Sequence, residues 1–136
     1  MELGQARDFL RQHHRAVMAT RHPSGQLQLS PVTVGLDEAG RAVVSTRETA
    51  RKTRNLARDP WVSLCVMTDA FFGAWLQLDG QAEIVHLPEA MELLVDYYRR
   101  ISGEHPDWED YRRVMQRDRR VLVRITLTRA GPDAHG

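Results

Sequence analysis

Residues Ala74 to His86 read Ala-Trp-Leu-Gln-Leu-Asp-Gly-Gln-Ala-Glu-Ile-Val-His, with Ala74, Leu76, Leu78, Gly80, Ala82 and Ile84 recurring at every second position. Side chains alternate across a strand, whereas a helix would need a period of 3.6, so the segment is a single long strand with an apolar even face. The odd face carries Trp75, Gln77, Asp79, Gln81 and Glu83. A tryptophan among those polar residues needs cover, from a ligand, from a second subunit or from both.

The same period extends outward in both directions. Trp61 to Thr68 is a strand on the N-terminal side, and Val121, Val123, Ile125 and Leu127 alternate on a closing strand. Arg15 to Arg21 forms a first strand, and the turn residues His22, Pro23, Ser24 and Gly25 lead into a second over residues 26 to 36. Its apolar phase changes between Leu27 and Leu29 on one side and Val32, Val34 and Leu36 on the other, with Pro31 between them; this predicts a bulge at Pro31. Ala42 to Thr46 is a third strand. Thr49 is the expected N-cap of a short helix over 50–58 that stops at Asp59-Pro60.

Helical spacing marks residues 2 to 13, then Pro88 to Ser102 closed by Gly103. A last helix opens at Pro106-Asp107 with Trp108, Tyr111 and Met115 inward as packing anchors, and the tail from Arg129 to Gly136 is expected to fray. Consecutive turn-linked strands without alternating βαβ units predict a mostly β fold with flanking helices, an antiparallel sheet curled into a small barrel.

The chain has 136 residues, the size of a single domain, here expected to span 1–136. Nineteen basic against eighteen acidic residues give a net charge of +1, which argues against nucleic-acid wrapping as the main activity. No apolar run approaches a membrane span and the charged N-terminus does not read as a signal peptide, so no membrane association and a cytoplasmic setting are expected. Cys65 stands alone on an apolar strand and reads as a small buried hydrophobe. Glycine-rich phosphate loops, nucleophile elbows and clustered metal ligands are missing; the six histidines are scattered, and no metal site is expected. No catalytic acid or base can be named.

Chemistry concentrates in Val43-Val44-Ser45-Thr46-Arg47-Glu48-Thr49-Ala50-Arg51-Lys52-Thr53-Arg54. A strand runs into a turn and a helix start, bringing free backbone N–H groups, hydroxyls and the positive end of a helix dipole together with Arg47, Arg51, Lys52 and Arg54. Arg51 offers a planar fork to phosphate oxygens and Lys52 a compact point charge. The alternative is an ordinary solvated basic face. Composition favours the anion site: eighteen of the nineteen basic residues are arginine, and the single lysine is Lys52. Farther along, Arg112, Arg113, Arg117, Arg119 and Arg120 are interleaved with Glu109, Asp110 and Asp118, the pattern of a solvated, partly paired face.

The segments AVMATRHPSGQLQLSPV, VVSTRETARKTRNLARDPWVSL, LDGQAEI, YYRRISGEHPDWEDYRRVM and DRRVLVRI together resemble the pyridoxamine-phosphate-oxidase-like split β-barrel flavoproteins, over about residues 4 to 127. More narrowly, the chain is similar to their actinobacterial branch that uses the deazaflavin coenzyme F(420). The resemblance implies a homodimer with cofactor sites at the interface. It implies a cofactor phosphate held by Arg51 and Lys52 with Ser45 and Thr46, a flat ring along Ser30, Pro31, Val32 and Thr33, and Trp75 of the other subunit against that ring. The implied activity is hydride transfer from reduced coenzyme F(420) to a small organic acceptor. FMN on the same barrel, or a non-catalytic carrier of a flavin or tetrapyrrole, are the alternatives.

Overall fold

The structure, a computed structural model, describes residues 1–135. Helix α1 (Leu3–Gln12) leads into strands β1 (Arg15–Arg21), β2 (Leu27–Leu36) and β3 (Ala42–Arg47). Helix α2 (Arg51–Arg58) connects to β4 (Trp61–Met67) and β5 (Ala74–Val85), and helices α3 (Ala90–Ser102) and α4 (Trp108–Arg117) precede β6 (Arg120–His135). All the strand pairs are antiparallel, and they close a barrel in the order β1-β2-β3-β6-β5-β4. The expected fold class is the one observed. Among the described residues no helix is long and apolar enough to cross a membrane.

The even face of β5 points into the barrel as its alternation requires. Leu76 and Leu78 join Met18, Val34, Val44, Val62, Leu64, Val66, Val123 and Ile125 in the interior. A second apolar cluster lies outside the barrel, where Ala90, Leu94 and Val95 of α3 and Tyr111 of α4 cover Val43 of β3 and Leu122 of β6. Tyr98, His105, Trp108 and Tyr111 pack ring against ring there, with Tyr98 and Tyr111 centroids 5.2 Å apart, so Trp108 and Tyr111 are the packing anchors expected of them. The helices therefore protect the β3–β6 side of the barrel. They leave the outer face of β2, β1, β4 and β5 uncovered.

Several local expectations are corrected. No bulge interrupts β2 opposite β1: the register runs unbroken from Arg15 opposite Thr33 through Val17 opposite Pro31 to Arg21 opposite Leu27. The phase change is resolved instead by exposing Leu27 and Leu29, 58% and 61% accessible on the uncovered outer face, while Val34 and Leu36 fill the core. Thr49 does not cap α2; Ala50 holds that position and provides no side-chain acceptor. The tail does not fray before the end of the described residues, because β6 continues along β5 until His135 lies opposite Ala74. Cys65 is half-buried on the outer face rather than in the core, and partial burial pushes its thiol pKa up.

The long β5–β6 ladder shifts register between Asp79 and Gly80, and there the two backbones come unusually close. A Cβ on Gly80 would stand 2.4 Å from the Thr126 carbonyl oxygen and 2.6 Å from Ile125 Cγ2. Gly80→Ala is expected to destabilise the barrel by about 1 to 3 kcal/mol through this overpacking. The control is Gly4→Ala, whose added methyl meets nothing within 4 Å on α1. Equilibrium denaturation should show a lowered midpoint for the first variant and an unchanged or raised one for the second.

Candidate functional site

Strands β2 and β3 share only three ladder positions, Val34 with Val44, Gly35 with Val43 and Leu36 with Ala42, and then part. Val34 N–H donates to His14 O at 2.8 Å on the β1 side, so strand alternation turns the Thr33 N–H and the Pro31 and Thr33 carbonyls the other way, into the gap. Tyr97 of α3 spans this opening, its hydroxyl donating to Thr33 O at 2.8 Å. Burial pushes the Tyr97 pKa up, partly offset by a backbone hydrogen bond at Ser45 and by the positive charge of Arg120.

The opening is a cavity of about 480 Å³ lined by Pro31, Val32 and Thr33 on one strand and Ser45 and Thr46 on the other, with Lys52 at its helix end. Tyr97, Tyr98, Tyr111 and Met115 form a largely aromatic wall, and Arg120 stands beside them. The Tyr111 pKa is pushed up to about 12, first by burial and then by the neighbouring Tyr97, so the hydroxyl stays neutral and donates a hydrogen bond to Leu94 O at 2.8 Å. None of the described lining residues is acidic.

Lys52 is placed by the way α2 is fastened. Asn55 Nδ2 donates to the buried Thr20 Oγ1 at 3.1 Å, holding the helix on β1, and Thr53 Oγ1 donates to Arg47 O at 2.7 Å, tying its first turn to the end of β3. With no side-chain cap, the first-turn N–H groups of α2 keep their donors for another acceptor. The Lys52 ammonium is held below its ordinary pKa, chiefly because it is partly desolvated and then because Arg120 repels it. A cation in that position gains most from an anionic neighbour.

Residues 3–131 match the family described as pyridoxamine 5′-phosphate oxidase. The chain belongs to that family. Among solved structures, a conserved hypothetical protein from Mycobacterium tuberculosis is 30% identical, with 96% of this chain and 82% of that one covered and a TM-score of 0.76. An F(420) reductase is 20% identical with a TM-score of 0.70, covering 91% of this chain and 94% of that one. The heme storage protein of Vibrio cholerae is 19% identical with a TM-score of 0.69, covering 100% and 98%.

Within this pyridoxamine 5′-phosphate oxidase family member, six of the nine residues singled out in the sequence, Pro31, Val32, Thr33, Ser45, Thr46 and Lys52, meet at one cavity. Ser30 lies next to it with its Oγ buried and unpartnered. Arg51 does not join them: it is exposed and lines a different cleft with His22, Gln28, Arg54 and Asn55, on another side of α2 from Lys52. Trp75 is half-buried on the outer face of the same chain, near Trp61, Cys65, Leu27 and Leu29. Sequence reasoning missed Tyr97 and Arg120. Nothing in the run Asp118-Arg119-Arg120 separates Arg120 from the solvated arginines around it.

Because Lys52 is the only lysine, 13C labelling at lysine Cε gives one titrating resonance for this site. Its midpoint is expected below the ordinary lysine value, as desolvation and Arg120 require. An anion bound in the cavity favours the protonated form, so inorganic phosphate should move the midpoint up; correspondingly, anion affinity should fall as pH rises through the midpoint of the free protein.

Proposed function

We propose that this protein is an oxidoreductase that holds coenzyme F(420) in the cavity between β2 and β3, at the interface of a homodimer. The observation that carries this is the convergence of Lys52, the uncapped start of α2 and the hydroxyls of Ser45 and Thr46 on the same opening as the backbone edge of Pro31 to Thr33. The first set suits a phosphate and the second a flat, hydrogen-bonding ring. The buried, unpartnered Nε of Arg120, on a side chain that lines the cavity, is the kind of polar atom that a bound ligand would satisfy.

The coenzyme, when bound, supplies a hydride to a small organic acceptor. Protein groups do the rest: Lys52 neutralises the phosphate, the β2 backbone fixes the ring in its plane, and the tyrosine wall keeps water from one side. Support for the deazaflavin over FMN comes from the sequence resemblance and from the F(420) reductase among the structural neighbours. The heme storage protein on the same fold makes a non-catalytic carrier the competing reading. Two cations and no lining carboxylate favour a phosphate-bearing guest.

The second subunit belongs to this proposal. Leu27, Leu29, Val17, Ala19, Cys65, Trp61 and Trp75 leave an apolar cavity of about 420 Å³ open on the outer face, and β2 carries that face directly to Pro31 and Thr33. A partner seated there would bring its own Trp75 toward the ring.

Three outcomes are expected. Titration should show coenzyme F(420) binding more tightly than FMN, with reduced coenzyme oxidised by at least one of a panel of quinones, enones, nitroaromatics and bilins; tight FMN binding without coenzyme F(420) binding would overturn the deazaflavin assignment. Lys52→Ala should cost about 1.5 to 3 kcal/mol of binding, roughly ten- to a hundredfold, with melting unchanged. Sedimentation should give a dimer for the wild type and a folded monomer with weakened cofactor binding for Leu29→Asp, which sets a charge in the exposed apolar face.

A further inference from the structure

The arginines around α4 and the start of β6 are not equivalent. Arg112 pairs with Glu92 at 2.6 Å, Arg113 with Asp110, Arg117 with Asp118 at 3.1 Å, and Arg119 with Glu48 at 3.2 Å. Arg120 has no carboxylate partner among the described residues. Its Nε is buried without a hydrogen-bond acceptor, and the side chain lines the cavity that holds Lys52.

The backbone leaves Arg120 little choice of position. Arg119, two residues beyond α4, has a φ of +53°, a left-handed conformation that costs a side-chain-bearing residue energy, and its carbonyl accepts from Glu48 N–H at 2.9 Å. Arg120 then enters β6 opposite Arg47, next to the pairing of Thr46 with Val121. A buried donor without an acceptor is costly, and two cations in one cavity repel each other. Both costs vanish if an anion lies between them.

We infer that Arg120 is the second phosphate ligand of this site, its Nε–H donating to one oxygen of a phosphate whose other free oxygen faces the Lys52 ammonium. This rests on the cofactor reading above and deepens it, because phosphomonoesters and phosphodiesters both present two such oxygens. The charged and titratable groups facing Arg120 are Lys52 from α2, Arg47 directly opposite it on β3, Tyr97 from α3, Tyr111 from α4 and Asp118 from the turn before β6. Asp118 is already engaged by Arg117 at 3.1 Å and by Arg47 at 3.9 Å. It does not replace the missing acceptor at Nε.

The test uses the full chain and the Arg120→Gln and Arg120→Lys variants, with circular dichroism and melting as the check on folding. Arg120→Gln should weaken FMN and coenzyme F(420) at least tenfold and riboflavin, which lacks the phosphate, less than twofold. In the free protein the Lys52 Cε resonance should titrate at higher pH once the neighbouring cation is gone, and inorganic phosphate should no longer move it. Retention of wild-type affinity for FMN and coenzyme F(420), or loss of riboflavin binding equal to the loss of FMN, would overturn the assignment while leaving the cofactor reading intact. If Arg120→Gln does not fold, Arg120→Lys decides: it keeps the charge without the Nε donor, so an intermediate loss supports the assignment and wild-type affinity overturns it. If the wild type binds neither cofactor, the cofactor reading fails, and inorganic phosphate alone decides this one. A phosphate-dependent shift of Lys52 in the wild type but not in Arg120→Gln upholds it, and no shift in the wild type overturns it.

Discussion

The site depends on a ladder that stops early. β2 and β3 hold together over three pairs and then separate, while β2 stays paired with β1 over seven positions and β3 stays paired with β6 over six. The barrel can therefore open on one seam without losing the register of either strand. What fills the seam is not another strand but the Tyr97 hydroxyl, a single donor reaching Thr33 O from α3. Backbone groups that a full ladder would consume are left facing a cavity.

The two cations at that seam come from the starts of two elements, Lys52 from α2 and Arg120 from β6. Asn55 and Thr53 fasten α2 so that Lys52 lines the opening, and the left-handed turn at Arg119 sets Arg120 beside it at the same end of β3. Both anchors are neutral hydrogen bonds or backbone conformations that do not engage the cationic heads. Their free energy remains available for a ligand, consistent with a depressed Lys52 pKa in the absence of an anion.

The uncovered outer face links the site to assembly. Where α3 and α4 bury Val43 and Leu122 on one side of the barrel, no helix among the described residues covers Leu27 or Leu29 on the other, and Trp75 there is only half-buried. The same strand, β2, carries exposed leucines at one end and the cavity edge at the other. In the proposed dimer, closing the apolar face and completing the cofactor site would be one event.

Alternation in Ala74 to His86 determined β5, its inward face and, with the neighbouring strands, the barrel itself, because period-two burial is a local property that any sheet partner would respect. The lone lysine in an arginine-rich chain likewise pointed to a residue that lines the candidate cavity, since composition makes an exception visible. The leucines of β2 were visible too, but whether a phase change means a bulge or an exposed face depends on what covers the sheet, and no local pattern records that. Nor could spacing tell that Arg51 and Lys52, adjacent in sequence, serve different clefts: that was decided by which face of α2 Asn55 pins to Thr20. Arg120 is the sharpest case. Five arginines in one charged stretch read alike in sequence, and only the tertiary structure, by giving four of them carboxylates and burying the Nε of the fifth beside Lys52, set one apart, because pairing and desolvation are set by residues distant in the chain.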